Sequence, residues 1–97
     1  MYLSDNKEEF LKFPKILYDS DPFYTTKSED VSACKKLFIV KEGDKILARA
    51  GLIYANNQAQ IGFFETENNI NAVKFLFDEI KNYALQNGYN YLIGPIN

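Results

Sequence analysis

Ile61-Gly62-Phe63-Phe64-Glu65, then Asn69 to Asn87, then Tyr91-Leu92-Ile93 is the stretch on which the fold turns. Gln60 to Glu65 is short, rich in β-branched and aromatic residues, and reads as a strand. From Asn69 onward the period changes. Val73, Leu76, Phe77, Ile80, Tyr83 and Ala84 recur at helical spacing, with Lys74, Asp78 and Lys81 on the opposite side, which predicts an amphipathic helix. Asn68 or Asn69 suits its N-cap, and Gly88 stands where a left-handed C-terminal cap belongs. Tyr91 to Ile93 follows as a short strand. A strand, a helix and a strand with tight connections make a βαβ unit, whose strands run parallel through a right-handed crossover.

Working outward, Leu37-Phe38-Ile39-Val40 is a β-rich run that ends at Glu42-Gly43-Asp44, a hairpin signal. Lys45 to Tyr54 is the return strand, and Ala55-Asn56-Asn57-Gln58 turns it into the Gln60–Glu65 strand. At the start of the chain, Ser4 or Asp5 can cap a helix carrying Glu8 and Glu9 in its first turn. Phe10, Leu11, Phe13, Leu17 and Tyr18 form its stripe. Pro14 marks a kink or the start of a second short helix. Asp19-Ser20-Asp21-Pro22 ends it, and Phe23 to Ser32 is irregular. The expected class is α+β: helix(es), a three-stranded antiparallel meander, then a helix and a parallel strand, in one domain over residues 1–97.

Composition narrows the chemistry. With 97 residues, 46% hydrophobic and 15% aromatic, the chain holds one core. Its net charge of −2 and lack of any basic run longer than Lys35-Lys36 exclude a phosphate-tracking nucleic-acid surface. No apolar run approaches the ~20 residues that span a bilayer, so no membrane partner is expected. The lone Cys34 forms no internal disulfide and suits a reducing cytoplasm. Histidine is absent, which removes His-activated nucleophiles and His-bearing zinc sites. Acid–base work falls to Glu, Asp, Tyr, Lys or Cys.

Phe13-Pro14 with Tyr18, Asp21-Pro22, Gly62-Phe63-Phe64-Glu65 and Gly94-Pro95-Ile96-Asn97 together resemble a bacterial subgroup of the GNAT N-acyltransferase superfamily. The resemblance implies a partial GNAT-like fold, the cofactor-binding half alone, with the chain stopping where the second half would begin. It implies an acyl-CoA-dependent N-acetyltransferase, with acetyl-CoA as cofactor and a small-molecule or peptide amine as acceptor. The cofactor would lie along the main chain of Phe63 and Phe64, and its pyrophosphate would meet the helix start at Asn69 and Ala72. Glu65 is the candidate general base.

The loop departs from the family pattern, because in Glu67-Asn68-Asn69-Ile70-Asn71-Ala72 only Ala72 matches and Ile70 replaces a glycine. Glu65 and Glu67 also bring negative charge to a pyrophosphate site. One such charge at ~6 Å opposes the anion by about 3 kcal/mol at an effective dielectric of ~20. A helix end returns only roughly 0.3–1 kcal/mol. A second reading therefore stands beside the enzyme: a non-catalytic binding or assembly module that forms a homodimer through an exposed sheet edge at Tyr91 to Ile93.

Overall fold

A computed structural model describes residues 1–17, 29–55, 58–89 and 92–96. Tyr18, the Asp19–Pro22 helix end, most of the irregular stretch after it, the Asn56-Asn57 turn, Tyr91 and Asn97 lie outside the described residues. The elements run β1 (Tyr2–Ser4), α1 (Lys7–Leu17), β2 (Cys34–Glu42), β3 (Lys45–Ala55), β4 (Gln58–Thr66), α2 (Ile70–Gln86) and β5 (Leu92–Ile96). They build one five-stranded sheet in the order β1-β2-β3-β4-β5.

This layout corrects the expected fold class, and with it the partial GNAT-like arrangement. The chain opens on a strand, not a helix. Tyr2, Leu3 and Ser4 pair with Lys41, Val40 and Ile39, so the antiparallel part of the sheet is four-stranded, β1 to β4, not three. Three residues carry no readable period, and long-range pairing alone makes them a strand. Because Ser4 belongs to β1, the first helix is capped one step later. The Asn6 side chain accepts from the Glu9 amide at 3.1 Å, and Ser4 Oγ accepts from the Asn6 amide at 3.3 Å. β5 lies beside β4, with Ala59, Gln60 and Gly62 in parallel register with Leu92, Ile93 and Ile96.

The β2–β3 hairpin closes with Glu42 opposite Lys45. Gly43 takes φ +60° at the first turn position, where a two-residue type II′ turn requires glycine. Helix α2 ends as its sequence demands. Gly88 sits at φ +76°, Tyr89 N–H donates to Ala84 O at 2.9 Å and Gly88 N–H donates to Leu85 O at 3.3 Å. That is the paired closure of a Schellman motif.

Each face of the sheet carries one helix. On one side Ala72, Leu76 and Ile80 of α2 pack on Phe38, Val40, Ala48, Ala50, Leu52, Ala59 and Ile61. The alanines in β3 keep that face flat enough for α2 to seat closely. Leu76 and Ile80 are fully buried, and trimming either to alanine would cost about 2–5 kcal/mol. On the other side Phe10 of α1 packs with Val31 and Ile39, bordered by Cys34, Leu37, Ile46 and Phe63. Neighbouring residues Phe38 and Ile39 fall in different cores because strand side chains alternate faces. Among the described residues no helix is long and apolar enough to cross a membrane.

Candidate functional site

The site is built around a fault in the β3–β4 ladder. Arg49 pairs with Glu65 and Gly51 with Gly62, so Phe63 and Phe64 together stand opposite the single residue Ala50. Two residues against one is a β-bulge. Phe63 is its first member and adopts φ +56°, a left-handed conformation that a bulky residue takes at a cost of roughly 1–2 kcal/mol. Packing holds it there. The Phe63 ring meets Phe10 edge-on, with centroids 6.3 Å apart at 75°. Phe64 turns to the other face and tilts onto Phe77 at 5.2 Å.

The bulge resets the side-chain alternation, so Glu65 falls on the α1 face beside Arg49, its partner in the ladder. Next to it the parallel register of β4 with β5 slips between Gln60 and Gly62, and Pro95 brings no N–H to that ladder.

The connection to α2 is tightly bonded. Glu67 N–H donates to Leu47 O at 3.0 Å, Asn69 N–H to Glu67 O at 2.7 Å, and Thr66 Oγ1 to Glu67 O at 2.7 Å. Asn69 is the N-cap, and its side chain accepts from the Ala72 amide at 3.1 Å. Ala72 is fully buried against the sheet. Val73 N–H donates to the Asn69 carbonyl at 3.2 Å. The cap thus engages the Ala72 and Val73 donors, leaving the Ile70 and Asn71 amides as the exposed end of the helix. The Ile70 side chain is 83% exposed. Glu67 pairs with Lys45 at 3.2 Å, which offsets its charge.

Phe63, Phe64 and Glu65 are thus consecutive at the bulge, and Asn69 with Ala72 sits at the helix start just after it. Cys34 stands on the α1 face, where burial pushes its thiol upward despite the opposing charge of Arg49. That direction is the wrong one for a nucleophile. Its sulfur also fills the space above Gly51, where an added Cβ would come within 2.6 Å of Sγ. A cavity of about 190 Å³ lies elsewhere, lined by Leu3, Ser4, Asp5, Lys36, Leu37 and Phe38. Its cation, Lys36, lies over the Phe38 and Tyr83 rings and 3.9 Å from Asp5.

Sequence reasoning missed Arg49. It is fully buried in the middle of the sheet. Its Nη1 donates to Phe10 O at 2.7 Å, its Nη2 donates to Glu29 Oε2 at 2.9 Å, and its guanidinium lies 4.5 Å from the Phe10 ring centroid. The reason is legible in α1. Pro14 sits inside that helix and has no N–H to give to the carbonyl four residues back, which is Phe10. Arg49 supplies the missing donor. α1 accordingly runs through Pro14 as a single helix, with no second helix beginning there. The signal was present as a proline in an amphipathic helix, which leaves one buried carbonyl in need of a donor from elsewhere.

No known protein family and no curated protein matches the chain.

Proposed function

We propose that this domain is an acyl-CoA-dependent N-acetyltransferase module with acetyl-CoA as its cofactor. The bulge at Phe63–Phe64 is the observation that carries this reading. It interrupts the β3–β4 ladder where β4 runs beside the parallel strand β5, and an extended amide-bearing chain can pair with main-chain groups that a bulge leaves out of its ladder. The residues present suit that group. The bulge offers main-chain donors and acceptors, and the first-turn amides of Ile70 and Asn71 stand at an exposed helix start for an anion. Acetyl-CoA held there would supply a thioester carbonyl that an amine attacks. Glu65, on the α1 face next to the bulge, would take the proton that the acceptor's ammonium must lose before its amine attacks, and the C–S bond would break to release the CoA thiolate, which takes a proton from solvent. Reduced Cys34 accords with a cytoplasmic setting.

Calorimetric titration of the chain with acetyl-CoA tests the reading. Saturable heat at or below about 1 mM, a binding free energy near 4 kcal/mol, is the expected result. Silence at that concentration sinks it.

A second reading rests on the sheet order, which among the described residues leaves β5 at one end. An open edge invites pairing, and a non-catalytic module could assemble as a homodimer through it. Concentration-dependent light scattering without acetyl-CoA binding would favour this reading over the enzyme.

A further inference from the structure

We infer that Arg49 anchors a binding site for a small zwitterion of the α-amino-acid class, and that Glu29 fills the carboxylate half of it when the ligand is absent. The role of that ligand as acyl acceptor rests on the acetyltransferase reading; the binding site itself does not.

A guanidinium offers its Nε–H and Nη2–H as a parallel pair that matches the two oxygens of one carboxylate. In Arg49 that edge is half used. Nη2 donates to a single oxygen of Glu29, while Nε is buried with no hydrogen-bond partner. Nη1 is committed to the Phe10 carbonyl. The open donor therefore lies on the side of the guanidinium that selects carboxylates.

Glu29 is the exchangeable member of the pair. Its side chain keeps 25% of its exposure while that of Arg49 has none. Replacing one carboxylate by another never leaves the buried cation bare, so the exchange avoids the penalty of an unpaired internal charge. A ligand that uses both donors gains one charge-assisted bond over Glu29.

The surroundings define the rest of the ligand. Glu65 stands directly across the ladder from Arg49 and on the same face. An anion on the strand position next to the cation matches a ligand that carries both charges, as an α-amino acid does. The rings of Phe10 and Phe63 and the Val31 side chain form the adjoining wall, which favours an apolar side chain. L-leucine has these features.

The test is calorimetric titration of the full chain with L-leucine, leucinamide and 4-methylvalerate. Leucine binds, and leucinamide, which keeps the amine but lacks the carboxylate, binds about tenfold more weakly or not at all. Glu29→Gln removes the internal competitor and strengthens leucine binding several-fold, with circular dichroism confirming the fold. Equal heats for leucine and leucinamide on the unaltered chain overturn the inference without any variant. So does a folded Glu29→Gln protein that binds leucine no better than before. Leucine binding without acetyl-CoA binding would keep this site and remove the acetyltransferase reading. Acetyl-CoA binding with no preference for leucine over leucinamide would do the reverse.

Discussion

Replacing Arg49 by methionine tests whether a side chain on β3 completes the hydrogen bonding of α1. The substitution keeps an apolar stem of similar length and removes three things: the donor to Phe10 O, the partner of Glu29, and the guanidinium over the Phe10 ring. Glu29 is partly exposed and can turn to water. The Phe10 carbonyl has no such recourse, since it is buried under the sheet face and Pro14 cannot serve it. A buried acceptor left without a donor costs about 1–3 kcal/mol, and a desolvated cation–π contact adds up to ~2 kcal/mol. Relief of the buried charge offsets part of this. A net loss of about 2–3 kcal/mol is expected, lowering Tm by roughly 10–20 °C in a domain of this size.

The decisive comparison adds Pro14→Ala. In the parent, alanine at 14 brings an N–H to a carbonyl that Arg49 already satisfies, and it removes a buried ring, so stability shifts by about 1 kcal/mol or less. In the Arg49→Met background the same N–H gives the Phe10 carbonyl a donor again. Pro14→Ala should then stabilise by about 1–2 kcal/mol more than it does in the parent. Urea denaturation of the four proteins gives this coupling energy directly. Additivity within about 0.5 kcal/mol would refute the pairing of Pro14 with Arg49.

The strained bulge predicts an inverted ranking at Phe63. In an ordinary strand glycine is less stable than alanine, but at φ +56° Phe63→Gly should exceed Phe63→Ala by about 1 kcal/mol, read as the order of their melting temperatures. Glu9 and Lys41 form a partly buried ion pair. Its hydrogen bond holds the Glu9 carboxyl below its usual 4.5 and lifts the Lys41 ammonium above its usual 10.5. The stabilisation from Glu9 is therefore full above about pH 4.5 and is lost as pH falls through the lower native value. The Lys41 share is full below about pH 10.5 and is lost as pH rises through the higher one. Glu9→Gln should flatten melting temperature against pH at both ends, and a profile unchanged by the substitution contradicts the pair.

What could be read from the chain depended on how local the signal was. The α2 stripe, its Asn69 cap and its Gly88 terminus are set by neighbours within a few positions, and the structure places each there. The Glu42-Gly43-Asp44 turn is equally local. β1 was not legible, because a three-residue strand owes its existence to Val40 and its neighbours far along the chain. The bulge was half legible. Gly62-Phe63-Phe64-Glu65 could be singled out, but the extra residue shows only when the β3 register is laid against it. Arg49 is one position of the Lys45–Tyr54 return strand with nothing local to mark it, and the proline that explains it lies in a different element. Of the candidate site, the sequence marked Phe63, Phe64, Glu65, Asn69 and Ala72, but not Arg49 or Glu29, whose proximity is created by folding.

The bond from Arg49 to the Phe10 carbonyl links positions 39 apart in sequence, and it imposes an order on how this chain can change over generations. A variant that first acquires alanine at 14 keeps the Phe10 carbonyl served and can afterwards lose the arginine at a smaller cost. A variant that loses the arginine first passes through a destabilised intermediate that selection would remove. Proline at 14 should therefore be rare in descendants that lack a long donor at 49, while arginine at 49 can persist with any helix former at 14. One residue licenses the other, and the licence runs in one direction.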